Sequence, residues 1–93
     1  MFINLWFGKG GFMETRVAVM SIIVENTGSV EKINNLLHDY SQYIIGRMGI
    51  PHRGKNISII SVAIDGPQDK IAALSGKIGN LNGVNVKTAY SNF

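Results

Sequence analysis

The sequence predicts an α+β fold, with two helices packed on one face of a four-stranded antiparallel sheet in the order βαββαβ. Three observations carry this. Residues 16–24 and 57–65 are rich in β-branched residues and almost continuously apolar, the pattern of central strands buried on both faces. Each is followed by a turn and then by apolar residues at helical spacing. A more diluted strand pattern closes each half, so the halves repeat one order around a short basic loop.

The first strand, RVAVMSIIV at 16–24, ends in the turn Glu25-Asn26-Thr27-Gly28-Ser29. Ser29 is a good N-cap, and Glu31 complements the positive end of the helix dipole. Val30, Ile33, Leu36, Leu37 and Tyr40 then share one helix face, with Glu31, Lys32, Asn34, Asn35 and Asp39 opposite, giving about three turns. Residues 43–50, YIIGRMGI, form a second strand that Gly46, Arg47 and Gly49 mark as an edge. Pro51-His52-Arg53-Gly54-Lys55-Asn56 is a hairpin loop, and residues 57–65 are the third strand. Gly66-Pro67 breaks that strand, and proline suits the first turn of a helix. Ile71, Leu74, Ile78 and Leu81 mark the second helical stripe, which Asn82-Gly83 closes. Asp65 and Asp69, flanking Gly-Pro, read as capping residues. Val84, Val86, Thr88 and Tyr90 alternate on the last strand.

The simplest closure of this order is the split-βαβ, ferredoxin-like two-layer sandwich, with antiparallel sheet order 4-1-3-2. Right-handed crossovers place both helices on one face. The two most apolar strands become central and the strands carrying Arg47 and Lys87 become edges. The other sheet face is left open, yet both alternating sets of the central strands are apolar. Val17, Val19 and Ile23 oppose Ala18, Met20, Ile22 and Val24, and Ile57, Ile59 and Ala63 oppose Ile60, Val62 and Ile64. An uncovered apolar face of that size marks an interface. A homo-oligomer is expected, a dimer that covers the sheet face or pairs edge strands.

At 93 residues the chain is one domain, and a domain this small gains from pairing. Residues 1–12 hold four of the eight aromatics, Phe2, Trp6, Phe7 and Phe12, together with Gly8, Gly10 and Gly11. They read as an N-terminal extension outside the fold, with the domain at 13–93; the alternative is an aromatic arm that docks on a partner. The start lacks the pattern of a signal peptide, and no apolar run approaches the roughly 20 residues that span a bilayer. No cysteine is present, which excludes disulfides, thiolate metal sites and a cysteine nucleophile, and fits the cytoplasm. The net charge of +3 is scattered, apart from His52-Arg53-Gly54-Lys55, which reads as a solvated turn. The two central strands carry no aromatic residue, which argues against stacking of RNA bases on the sheet. No membrane partner and no direct nucleic-acid contact are expected.

The candidate ligand-binding residues are Asn26, Thr27, Gly28 and Ser29. A strand ends there, a glycine turn follows and a helix begins, so backbone N–H groups at the helix start could hold an anion or a carboxylate. On physical grounds alone the stretch reads first as an ordinary capped turn. The segment VENTGSVEKINNLLHDYSQYI, residues 24–44, resembles the start of an ACT domain, in which strand, Asn-x-x-Gly-x-Val and an amphipathic helix follow one another. That resemblance implies an effector site, often for an amino acid, at a subunit interface. Residues 57–89 are similar to the C-terminal half of the regulatory domain of nickel-responsive repressors, which share the ACT-like fold. Residues 14–90 as a whole resemble small stand-alone ACT-like proteins described as regulators associated with iron-only hydrogenase systems. The nickel analogy stops at the site. That family uses several histidines and a cysteine, whereas here only His52 falls near a ligand position, with Ile50 and Ser58 where others would stand. No metal site and no cofactor are expected.

The resemblance implies a regulatory protein that senses a small molecule, acts through oligomerisation or a partner chain, and serves transcriptional regulation by way of that partner. The alternative from the residues is a protein–protein interaction module without a ligand. A remote alternative is an acylphosphatase-like hydrolase, against which stands the absence of a phosphate-cradling loop with suitably placed Arg and Asn. His38 and His52 have no evident acid or nucleophile partner in the sequence, and no catalytic residue is assigned.

Overall fold

A computed structural model describes residues 4–7 and 11–92, with side chains described from Glu14 onward. Strands β1 (Asn4–Phe7) and β2 (Gly11–Glu14) pair antiparallel as a two-stranded sheet of their own. The aromatic side chains on which the reading of 1–12 as an extension turned lie outside the described residues. Then follow β3 (Arg16–Val24), α1 (Val30–Asp39), β4 (Ile44–His52), β5 (Ile57–Gly66), α2 (Gln68–Gly79) and β6 (Val84–Tyr90).

The four-stranded sheet is antiparallel throughout, in the order β4-β5-β3-β6. This is the predicted 4-1-3-2 read from the opposite edge, and it makes the domain ferredoxin-like. The two strands with continuous apolar character are central, because only a central strand has neighbours for both edges and a helix layer over one face.

One alternating set of each central strand meets the helices. Ala18, Met20, Ile22 and Val24 of β3 and Ile60, Val62 and Ile64 of β5 are buried against Ile33 and Leu37 of α1 and Ile71, Leu74 and Ile78 of α2. The helical stripes read from sequence are the faces that form this core. Leu36, Tyr40 and Leu81 are half-buried at its rim. Burying a Leu or Ile side chain of this kind is worth about 1.5–3 kcal/mol, so the core supplies most of what holds both helices down.

Three local features differ from expectation. Ser29 is not a side-chain N-cap: it has helical dihedrals (φ −86°, ψ −9°), because a 3-10 turn at Thr27–Ser29 precedes α1. The cap moves back to Asn26, whose side chain accepts from the Gly28 N–H. Neither aspartate beside Gly-Pro caps α2, whose N-cap is Pro67 with no side-chain hydrogen bond. Asp65 instead lies within β5 opposite Val17, one residue before its end, while Asp69 sits in the first turn of α2, where its charge suits the helix dipole. The second strand also runs longer than expected, through Pro51 and His52, which pair with Ser58 and Ile57. Proline is tolerated there because β4 is an edge.

Candidate functional site

The turn at 26–29 is held inside a clasp between two loops. β3 hands the chain to it at Glu25, whose N–H donates to the Gly83 carbonyl at 2.7 Å. The Asn26 carbonyl accepts from Ser29 N–H at 2.9 Å, and Asn26 Oδ1 accepts from Gly28 N–H at 2.9 Å. The Val30 N–H donates to the Thr27 carbonyl. Ser29 is buried, and its hydroxyl donates to the Asn82 carbonyl at 2.7 Å. Gly83 has φ +70°, and a Cβ there would stand 2.6 Å from Asn26 Cβ and 3.0 Å from Asn26 N. Only glycine allows this backbone to approach so closely with that φ.

The four sequence-predicted residues are therefore together, but much of their hydrogen-bonding capacity is spent within the turn. The backbone N–H groups of Gly28, Ser29 and Val30, expected to await an anion, all have internal acceptors. Asn26, Thr27 and Gly28 are exposed, while Ser29 is buried. Sequence reasoning took Asn82-Gly83 as a helix stop and missed it as the other half of the clasp. An Asn-Gly pair in the loop beside the strand–turn–helix segment was the available signal.

Elsewhere the polar candidates are scattered. His38, on α1, borders a groove of about 510 Å³ with Asn34, Leu37, Ile44 and Arg47. Arg47 donates to Asn34 Oδ1 at 2.7 Å, which ties the edge strand to the helix. The groove opens where β4 shifts register between Ile44 and Gly46. His52 ends β4, and its carbonyl accepts from Lys55 N–H in a tight turn that leaves Arg53 and Lys55 exposed. Among the described residues no three His, Asp or Glu side chains gather as a metal site would need.

The second face of the sheet is the more extensive feature. Val19 and Ile23 of β3 are each 43% exposed, Ile59 of β5 is 39%, and Met48 and Ile50 of β4 are 58% and 48%. Register places them side by side. Asn85, Ile23, Ile59 and Ile50 form one row across the sheet, Lys87, Ser21, Ser61 and Met48 the next, and Ala89, Val19, Ala63 and Gly46 a third. Val17 and Asp65 continue it.

This arrangement can be set beside known proteins. The sequence profile of the TM1266-like family, described as "Iron-only hydrogenase system regulator, putative", matches residues 16–88. The chain belongs to this family. A solved family structure, an uncharacterized protein from Thermotoga maritima, is 38% identical, covers 83% of this chain and 98% of its own, and superposes with a TM-score of 0.79. The family match runs from the start of β3 into β6 and so takes in every element of the βαββαβ unit. A formyltetrahydrofolate deformylase from Pseudomonas putida KT2440 shares the fold at 13% identity, with a TM-score of 0.62 over 83% of this chain and 29% of that enzyme. No curated protein matches. The family description is that of a regulator, and no helix among the described residues is long and apolar enough to cross a membrane.

Proposed function

We propose that this chain is a small regulatory module that binds a small-molecule effector at the turn of Asn26, Thr27, Gly28 and Ser29 and transmits the event through self-association or a partner chain. It works without catalysis, in the cytoplasm, and serves transcriptional regulation by way of that partner. The observation that carries this reading is the clasp. A strand–turn–helix junction is tied through Glu25 and Ser29 to the loop that leads into edge strand β6. A ligand resting on the Asn26 amide and Thr27 hydroxyl would press on both loops at once. The family description as a regulator supports the same reading. Any such switch needs a ligand that favours one of two states, in conformation or in assembly.

The test is a thermal-unfolding screen of the full chain with free amino acids and small metabolites. A ligand at 100 times its dissociation constant stabilises by roughly 2.7 kcal/mol. The expected result is a stabilising compound whose effect falls in Thr27→Ala. If no amino acid or small metabolite shifts the transition at millimolar concentration, the effector reading fails. A second reading, an interaction module without a ligand, is favoured by the exposed apolar face alone and would survive that outcome.

A further inference from the structure

The groove between α1 and β4 is built on an irregularity of the edge strand. Ile44 pairs with Ile64 and Gly46 with Ala63, so Ile45 is the extra residue of a β-bulge. A bulge re-aims a side chain, and here it is an isoleucine 65% exposed, more than any other large apolar side chain among the described residues. Ile45 lines the groove together with Leu37, which belongs to the core, and Ile44, which is half-buried. The polar part of the lining is Asn34 and His38 of α1, Ser41 just beyond it, and Arg47 of β4.

Arg47 carries the one fixed charge in this lining. Its guanidinium spends one N–H on Asn34 Oδ1 at 2.7 Å. That bond holds the planar group against α1, and its other N–H groups match the two oxygens of a carboxylate. The acids of α1 do not oppose it: neither Glu31 nor Asp39 lines the groove, and the Asp39 charge acts on Lys77 of α2. The negative end of the helix is partly spent as well, since the carbonyls of Leu36, His38 and Tyr40 already accept backbone N–H groups of Tyr40 and Tyr43.

We propose that this groove binds a small organic carboxylate, with the carboxylate on Arg47 and the apolar remainder against Ile45. The site lies along the second half of α1, away from the turn of Asn26–Ser29, and does not depend on the effector proposed there.

Three features select this class of ligand. A cation would meet the Arg47 guanidinium with no acid in the lining to offset it. A purely polar anion such as phosphate would leave Ile45 in water and gain nothing from the apolar lining. The volume of about 510 Å³ also lies within the range of about 300–1,000 Å³ usual for small-molecule sites.

The test is an NMR titration of the isotope-labelled full chain with isovalerate and with benzoate. Each is taken to about 20 mM at constant ionic strength, a range that reaches the weak affinities of molecules this small. Saturable shifts are expected in the amides of Asn34, His38, Ile45 and Arg47. The neutral isosteres isovaleramide and benzamide should bind about tenfold more weakly or worse, and so should acetate, which lacks the apolar part. Arg47→Gln should weaken binding about tenfold and Ile45→Ser at least about threefold. Both side chains are exposed, so the spectra should remain those of the folded domain. Ile45→Ser leaves the bond from Arg47 to Asn34 in place, which separates lost binding from a loosened β4. Thr27→Ala, in the other turn, should change nothing. The proposal is overturned if neither carboxylate gives a saturable shift at these residues, if the amides or acetate bind as well as the two carboxylates, or if both groove variants bind like the wild type. Shifts confined to residues 26–29 would overturn it too while favouring the effector turn, so the two proposals fail separately.

Discussion

Replacing Gly83 with alanine perturbs the clasp at its tightest point. The new Cβ would lie 2.6 Å from Asn26 Cβ and 3.0 Å from its backbone nitrogen, where no flexible side-chain tip can yield. The φ of +70° itself costs a residue with a Cβ about 1–2 kcal/mol. Separating the loops to relieve the clash lengthens the bond from Glu25 N–H to the Gly83 carbonyl, worth about 0.5–1.5 kcal/mol. It also strips the buried Ser29 hydroxyl of its acceptor at Asn82, at about 1–3 kcal/mol. Alanine recovers about 0.4–1 kcal/mol by stiffening the unfolded chain. Because these effects share one pair of loops, they do not add in full, and roughly 2–4 kcal/mol of destabilisation is expected. Urea unfolding followed by far-UV circular dichroism measures it as a lowered midpoint at unchanged slope. Gly28→Ala is the control, since its Cβ meets only the Asn26 Oδ1 at 3.1 Å, and it should cost less than about 1 kcal/mol. A Gly83→Ala protein within about 0.5 kcal/mol of wild type would refute the clasp as a rigid junction.

Other consequences are open to measurement. Gly76→Ala, inside α2 with nothing within 4 Å of the new Cβ, should stabilise the fold by about 0.5–1 kcal/mol in the same urea experiment. Leu74→Ala removes a fully buried side chain from the helix–sheet core and should cost about 2–5 kcal/mol, read as a lowered midpoint. The Lys77 ammonium is held above its ordinary 10.5, first by its 2.9 Å hydrogen bond to the Tyr40 hydroxyl and then by the charge that oxygen can carry. A raised folded value means the contact contributes fully below the unfolded value and is lost as pH rises through the folded one. An NMR titration of Lys77 should therefore show its midpoint fall in Tyr40→Phe.

Legibility in the sequence followed the strength of the periodic signal. The central strands could be read because β-branched runs such as ISIISVAID have no helical period, and the helices because Ile33 and Leu37, and Ile71, Leu74 and Ile78, fall on single faces. The edge strand β4 was placed less well, since Gly46, Gly49 and Pro51 carry turn-like signals that only its position at the edge makes compatible with pairing. The hairpin of β1 and β2 was not read as strands, because glycines at 8, 10 and 11 interrupt the alternation. At the site, sequence located the turn but not its partner. The hydroxyl of Ser29 could cap its own helix or reach another loop, and that choice depends on the fold bringing Asn82 within 2.7 Å. Likewise Asp65, read as a cap within the third strand, stays in β5 as a paired residue opposite Val17, because α2 starts on Pro67 without a side-chain cap.

The function proposed above requires that effector binding and assembly be coupled in this small domain. It is tested most directly by sedimentation of the full chain over a concentration series, with and without the compound that most raises its melting temperature. Coupling predicts that the association constant changes when the compound is present, and by linkage that compound affinity differs between the associated and the dissociated chain by the same factor. An association constant identical in both conditions would contradict it.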